Sequence, residues 1–137
     1  MLPVLAVSVL ARRNGDVLLV RRGRPPLANV WALPGGKVRP GEPLATAAAR
    51  EVMEETGIAV KDLARLDLVE IIDHQNGKAD SHFVIVVFTA TADGKPPVAG
   101  DDAAEARWVP LGEIGRLALA PDTARIIAQH APQAGVY

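Results

Sequence analysis

GKVRPGEPLATAAAREVMEETGI, residues 36–58, is the stretch from which this 137-residue chain is most readily read. From Pro43 to Thr56 there is no glycine and no further proline, and Ala45, Ala47, Ala48, Ala49, Arg50, Glu51, Met53, Glu54 and Glu55 are mostly good helix formers. Pro43 suits a first helical turn and Gly57 the position just past a helix end, so the pattern predicts one helix over 43–56 with both ends marked. At about 100° per residue, Glu51, Glu54 and Glu55 share one face within roughly 100° of each other. Three carboxylates there repel by a few tenths of a kcal/mol per pair unless a cation joins them. Arg50, four residues before Glu54, can pair with it. Ala45, Ala49, Val52 and Thr56 fall toward the opposite side and are the expected packing surface. Acidic runs of this kind also occur as solvated helix faces, so the residues upstream matter. Gly35 and Gly36 permit a close backbone approach to a ligand, and Glu42, after Gly41, stands at the loop–helix junction.

Toward the N-terminus, residues 4–11 are almost continuously apolar, Asn14-Gly15 follows, and Val17-Leu18-Leu19-Val20 resumes the apolar pattern. Asn-Gly between two such runs predicts a hairpin. Arg21 to Asn29 (RRGRPPLAN) is expected to be a loop carrying Arg21, Arg22 and Arg24. Trp31-Ala32-Leu33 reads as a short strand stopped by Pro34-Gly35-Gly36. Toward the C-terminus, Ile58 to Asp73 and Ser81 to Ala92 read as two strands joined at Gln75-Asn76-Gly77. The run Phe83 to Phe88 is apolar throughout and should be buried on both faces. Asp93 to Ala104 is a second loop, Glu105 to Val109 a short strand, and Leu111–Arg116 and Pro121–His130 are helical. The order implies an α/β fold with a mixed sheet and helices on both faces.

With 49% hydrophobic residues the chain has material for one core, and residues 1–137 are read as a single domain. A formal charge of −1 gives no field to gather nucleic acid or an anionic membrane, so any polyanion must be bound locally. With no cysteine, thiolate nucleophiles, disulfides and cysteine-based metal centres are excluded. The apolar start is interrupted by Pro3, lacks a basic leader and reaches Arg12-Arg13 too soon to span a bilayer; no membrane role and a cytoplasmic location are expected.

The pattern Gly36, five residues, Glu42, seven residues, Arg50-Glu51-Val52, one residue, Glu54-Glu55, one residue, Gly57-Ile58 resembles the Nudix box at each defined position. Trp31-Ala32-Leu33-Pro34-Gly35 is similar to the usual approach to that box. The resemblance implies a Nudix-type α/β/α sandwich and a hydrolase of nucleoside diphosphate derivatives. By similarity, Glu51 and Glu55 are the main side-chain ligands of Mg²⁺, with Mn²⁺ as a substitute, the Gly36 carbonyl is a backbone ligand, and Glu54 either ligates or orients the attacking water. An all-oxygen set suits such a hard cation rather than zinc. Arg50 is the orienting partner, and Glu42, Gly35 and Gly57 support the box. Family members often take a general base from a later loop. Glu105 is the candidate by its place before a strand like the one that follows that loop in related sequences, and Asp101 and Asp102 are the other acids there.

Arg21, Arg22 and Arg24 are candidates for phosphate contacts, since guanidinium groups match those oxygens in pairs. Trp31 is a candidate for base stacking, although core burial is the commoner fate of both Trp31 and Trp108. His74, His82 and His130 are read as structural. The stretch around Arg22-Gly23-Arg24-Pro25-Pro26 looks like short microbial ADP-ribose hydrolases, which makes an ADP-ribose-like substrate the first choice. A house-cleaning (d)NTP pyrophosphohydrolase is the alternative enzyme within the family, and a catalytically silent nucleotide-binding Nudix module, which keeps the fold, is the alternative of a different class. A homodimer formed through the apolar N-terminal strand is a further expectation. No nucleic-acid partner is expected, as no basic stripe is visible.

Overall fold

The computed structural model describes residues 2–24 and 28–131. One sheet of seven strands forms the middle layer: β1 (Val4–Arg13), β2 (Asp16–Arg22), β3 (Trp31–Ala32), β4 (Gly35–Lys37), β5 (Val60–Gln75), β6 (Lys78–Ala92) and β7 (Ala103–Pro110). The order β3-β2-β1-β6-β5 runs across it, with β4 added to β1 and β7 to β2. The sheet is mixed, because β1 and β6 are parallel while the other pairs are antiparallel. Helix α1 (Leu44–Thr56) covers one face and α2 (Pro121–His130) the other.

Alternation along the central strands explains the two layers. Val7, Val9 and Ala11 of β1 join Leu18, Val86, Phe88, Ala47, Ala48, Val52 and Ile58 in one buried cluster. Leu10 of β1 joins Val17, Leu19, Val87, Ile126 and Ile127 in the other. The continuous apolar runs thus feed both faces in turn, as a strand covered on two sides requires.

Several expectations are corrected. The β1–β2 turn forms at Asn14, whose φ of 53° is the left-handed value that Asn tolerates, and Asn76 does the same at the β5–β6 turn. Yet β2 takes most of its ladder from β7, from Asp16↔Pro110 to Arg22↔Ala103, and only two residue pairs from β1, Arg12↔Val17 and Arg13↔Asp16. Arg21 and Arg22 end β2 instead of opening a loop; Pro25, Pro26 and Leu27 of that stretch lie outside the described residues. The strand at Trp31 ends before Pro34 as expected, but Gly35 and Gly36 do more than stop it. They form β4, pressed so closely on β1 that a Cβ at Gly35 would stand 2.2 Å from the Val7 carbonyl oxygen. The N-terminal strand is not free to pair with a second copy, since β6 lines one edge of β1 and β4 and β2 line the other. Burial of the run 83–88 is complete only over Val86–Phe88; Phe83 and Ile85 lie where the sheet opens into a cavity. Leu111–Arg116 is helical as expected, in the 3₁₀ form.

Candidate active site

Helix α1 lies rotated by roughly a quarter turn from the orientation its small residues suggested. Ala47, Ala48, Glu51, Val52 and Thr56 are buried, whereas Ala45 is exposed. The acidic face therefore turns inward at its edge: Glu51 is only 9% exposed and Glu55 is partly buried, while Glu54 stays exposed. Glu51 fits because Gly36 has no side chain; a Cβ there would stand 2.5 Å from the Glu51 carboxyl group. The Gly35 N–H donates to Glu55 Oε1 at 2.8 Å, fixing the second carboxylate against β4. Burial pushes the Glu55 carboxyl up to about 8; the Gly35 N–H opposes that shift, and the charges of Glu51 and Asp101 reinforce it.

Arg50 organises the cluster. Its Nε and Nη2 donate to the two oxygens of Glu42 at 2.7 and 2.9 Å, and its Nη1 to Glu51 Oε1 at 2.8 Å and Glu54 Oε2 at 3.3 Å. Nη2 also reaches the Lys37 carbonyl at 3.1 Å. The Arg50 pair, with the Arg39 backbone N–H, holds Glu42 down at about 2, and Glu42 in turn raises Arg50 above its already high ordinary value. Glu42 is thereby committed to Arg50. Gly57 closes the helix in the left-handed region with φ 71°, its N–H bonded to the Met53 carbonyl at 2.9 Å.

The loop between β6 and β7 docks on that same helix end. Val98 and Gly100 donate their N–H groups to the Thr56 and Glu55 carbonyls at 2.9 and 3.0 Å. These contacts satisfy acceptors that a helix terminus leaves open. A Cβ at Gly100 would stand 2.4 Å from the Glu54 carbonyl oxygen, so only glycine permits this approach. The next residue, Asp101, is thus delivered to the carboxylates: oxygen atoms of Glu51, Glu54 and Asp101 all lie within 4.8 Å of one another. Three hard oxygen donors around a niche that a Gly36 side chain would fill are a donor set fitted to a divalent cation of the magnesium type.

Glu105, expected as the later acid, is placed elsewhere. It stands opposite Arg21 on the β2–β7 ladder and accepts from Arg21 Nε at 3.4 Å, with Arg107 3.9 Å away. Arg21 is also held by Asn29 Oδ1 at 2.8 Å. The ladder shifts register between Arg21 and Arg22, and Arg22 lines a cavity of about 590 Å³ together with Glu51, Glu55, Gly36 and Asp101. Arg24 and Asp102 line it as well, paired with each other at 3.2 Å. Trp31 does not face this cavity. It is 7% exposed, packs in the α2-side core, and has the Arg107 guanidinium 4.9 Å from its ring centroid, which leaves no open ring face for the expected base stacking. Trp108 is likewise structural, with its Nε1–H on the Lys95 carbonyl at 3.1 Å and Arg13 above its ring. His82 pairs with Glu70 and His130 with Asp67, each at 2.8 Å.

Of the three loop acids that the sequence offered, Asp101 and not the favoured Glu105 is the one that the structure brings to the carboxylates. Its signal was the preceding Gly100, a residue that lets a loop lie flat on another backbone.

The family model of the NUDIX domain matches residues 2–130. The chain belongs to this family. Among NUDIX relatives, it is 34% identical over 116 residues to the ADP-ribose pyrophosphatase of Methanocaldococcus jannaschii, a match that takes in 85% of this chain and 67% of that protein. It is 49% identical over 70 residues to a Mycobacterium tuberculosis H37Rv protein provisionally named 8-oxo-dGTP diphosphatase 2, covering 50% of each. Among solved NUDIX structures, the MutT NUDIX hydrolase of Burkholderia pseudomallei superposes with a TM-score of 0.84 at 32% identity, over 95% of this chain and 99% of that one. The α/β/α NUDIX architecture and the mixed sheet follow from that likeness. Among the described residues, no helix is long and apolar enough to cross a membrane.

Proposed function

We propose that residues 1–137 act as one catalytic domain that hydrolyses the pyrophosphate linkage of a nucleoside diphosphate derivative, with an ADP-ribose-like compound as first choice. The observation that carries this is the convergence of Glu51, Glu54 and Asp101 within 4.8 Å, beside a cavity of about 590 Å³ that also presents Arg22 and Arg24. Acidic groups on one side and guanidinium groups on the other suit a diphosphate whose charge a cation held by the carboxylates would neutralise.

Glu51, Glu54 and Asp101 would hold that cation, Mg²⁺ first and Mn²⁺ as a substitute, with the Gly36 carbonyl and Glu55 beside them. When bound, it neutralises diphosphate charge and lowers the pKa of a coordinated water. The protein's own contribution is positional. Arg50 fixes Glu51 and Glu54; Arg22 orients a phosphate oxygen; Asp101, with Glu54 as its neighbour, takes the proton of the water that displaces the leaving phosphate at phosphorus. The base role thus passes from Glu105 to Asp101.

The test is a nucleotide panel assayed for product release with and without Mg²⁺, using the wild type and the Glu51→Gln and Glu55→Gln variants. Mg²⁺-dependent turnover of ADP-ribose to AMP and ribose 5-phosphate is expected, with at least a 10³-fold loss in either variant. Unchanged turnover in both variants at limiting Mg²⁺ would overturn the site. The identity of 49% over 70 residues to the mycobacterial protein favours a second reading, hydrolysis of a nucleoside triphosphate. A tenfold or greater advantage in kcat/KM for dGTP or its oxidised form over ADP-ribose selects it. Binding without turnover of any compound would instead mark a silent nucleotide-binding module.

A further inference from the structure

Glu54 meets two guanidinium groups that are held very differently. Arg50, whose side chain is 17% exposed, touches Glu54 at 3.3 Å as one of several contacts that fix it. Arg39 reaches the same carboxylate with Nη2 3.6 Å from Oε1, beyond hydrogen-bond length, and its side chain is 65% exposed. That is the one ion pair of Arg39 among the described residues. Its backbone is not free to follow the side chain, because the Arg39 N–H donates to Glu42 Oε1 at 3.0 Å and Glu42 is locked to Arg50. Two residues earlier, Lys37 lines the catalytic cavity, so Arg39 stands close to its rim.

We infer that Arg39 is a displaceable counter-ion, which neutralises Glu54 when no cation is bound and gives that carboxylate up to a divalent cation, so that cation and diphosphate load together. The inference rests on the cation-dependent pyrophosphatase reading of the site. Glu54 is one of the three acids whose oxygens converge within 4.8 Å, so a cation held by them competes with Arg39 for the same charge and repels it. The guanidinium cannot escape by losing a proton, since it keeps its charge at any working pH. It can only move, and a single exposed ion pair is weak enough to be given up. Arg50 has no such freedom, because leaving Glu54 would not release it from Glu42. Once released, the fork of N–H groups on Arg39 is free for phosphate oxygens. Reciprocity then links the two ligands: a diphosphate that draws Arg39 off Glu54 strengthens cation binding by the same factor as the cation strengthens diphosphate binding.

The experiment measures Mn²⁺ binding to the metal-free protein by calorimetry and by the spin resonance of unbound Mn²⁺, in the wild type, Arg39→Gln and Arg24→Gln. Each is titrated alone and then with α,β-methylene ADP, a diphosphate whose P–C–P bridge resists hydrolysis, with allowance for the Mn²⁺ that this compound binds in solution. Alone, Arg39→Gln should bind Mn²⁺ roughly three- to tenfold more tightly than the wild type, a gain that damage to the fold would not produce. Arg24→Gln removes the same charge from the cavity wall, where it pairs with Asp102, and should change the affinity by less than about twofold. The analogue should raise the affinity of the wild type for Mn²⁺ by a larger factor than that of Arg39→Gln. Equal or weaker Mn²⁺ binding in Arg39→Gln overturns the inference while leaving the hydrolase reading intact. Equal tightening in Arg24→Gln overturns it too, since the general field of the cavity would then account for the effect, as does an equal response of the wild type and Arg39→Gln to the analogue. If none of the three proteins binds Mn²⁺, the cation-dependent reading falls and the inference with it.

Discussion

Arg50 donates to Glu42, Glu51 and Glu54 at once, and it spaces the acids before any ligand arrives. That arrangement separates residues that shape the site from those that react in it. Asp101→Asn should lower kcat roughly 10²–10⁴-fold, because it removes a proton acceptor next to Glu51 and Glu54. Glu105→Gln should stay within about threefold of wild type, since it costs only contacts to Arg21 and Arg107 on a strand face away from the cavity. Steady-state kinetics and Mg²⁺ titration of the two variants check this; a large kcat loss in Glu105→Gln with Asp101→Asn near normal would restore the first assignment. The sequence made Glu42, Arg50, Glu51, Glu54 and Glu55 legible, because they lie on one local element with fixed spacing. It left Asp101 and Glu105 indistinguishable, because which loop acid reaches a site is set by where the loop lands, not by its order in the chain. Trp31 was ambiguous for a similar reason: a ring's open face is decided by what stacks on it, and Arg107 is 76 residues away in sequence.

Helix α1 and the loop that caps it behave as one element. The helix limits were readable from Pro43 and Gly57, since capping is local chemistry. Its orientation was not. Small residues on one side suggested a packing face, but Gly35 and Gly36 of β4 admit the acidic side instead, and burial of Glu51 follows. Gly100→Ala should expose the coupling. The new Cβ meets the Glu54 carbonyl, the loop lifts, and Asp101 leaves the cluster. Stability should fall by about 1–3 kcal/mol, as overpacking typically costs. kcat should drop by at least tenfold, with less change in KM, by the reasoning that applies to Asp101 itself. Denaturant unfolding and kinetics on one preparation read both; a stability loss with normal kcat would show that the loop does not position Asp101.

Across the whole molecule, β1 and β6 serve two cores at once, and α2 is tied back to β5 by His130 and Arg125, 2.8 and 3.5 Å from Asp67. The continuous apolar runs and the order of elements foretold the two layers; the ties, which join residues far apart in the chain, they did not. The His130 contact, then the Leu68 backbone N–H, holds the Asp67 carboxyl below the usual aspartate range of about 3.9. A depressed acid binds fewer protons when folded than unfolded, so its stabilisation is present above that range and disappears as pH falls through the folded value. Asp67→Asn should therefore unfold at a lower temperature than wild type at pH 7, with the two melting curves converging as pH falls through the folded value and Asp67 protonates. A constant gap at all pH values would mean packing, not charge, accounts for the tie. The capping loop has a different reach. Its two amides, Val98 and Gly100, are hydrogen-bonded to the end of the helix that carries the carboxylates. Anything that draws Asp101 inward must tighten those amides, and by reciprocity anything that tightens them must favour occupancy. The rate at which just two backbone hydrogens exchange with deuterated solvent would then report how full the site is, without label or turnover.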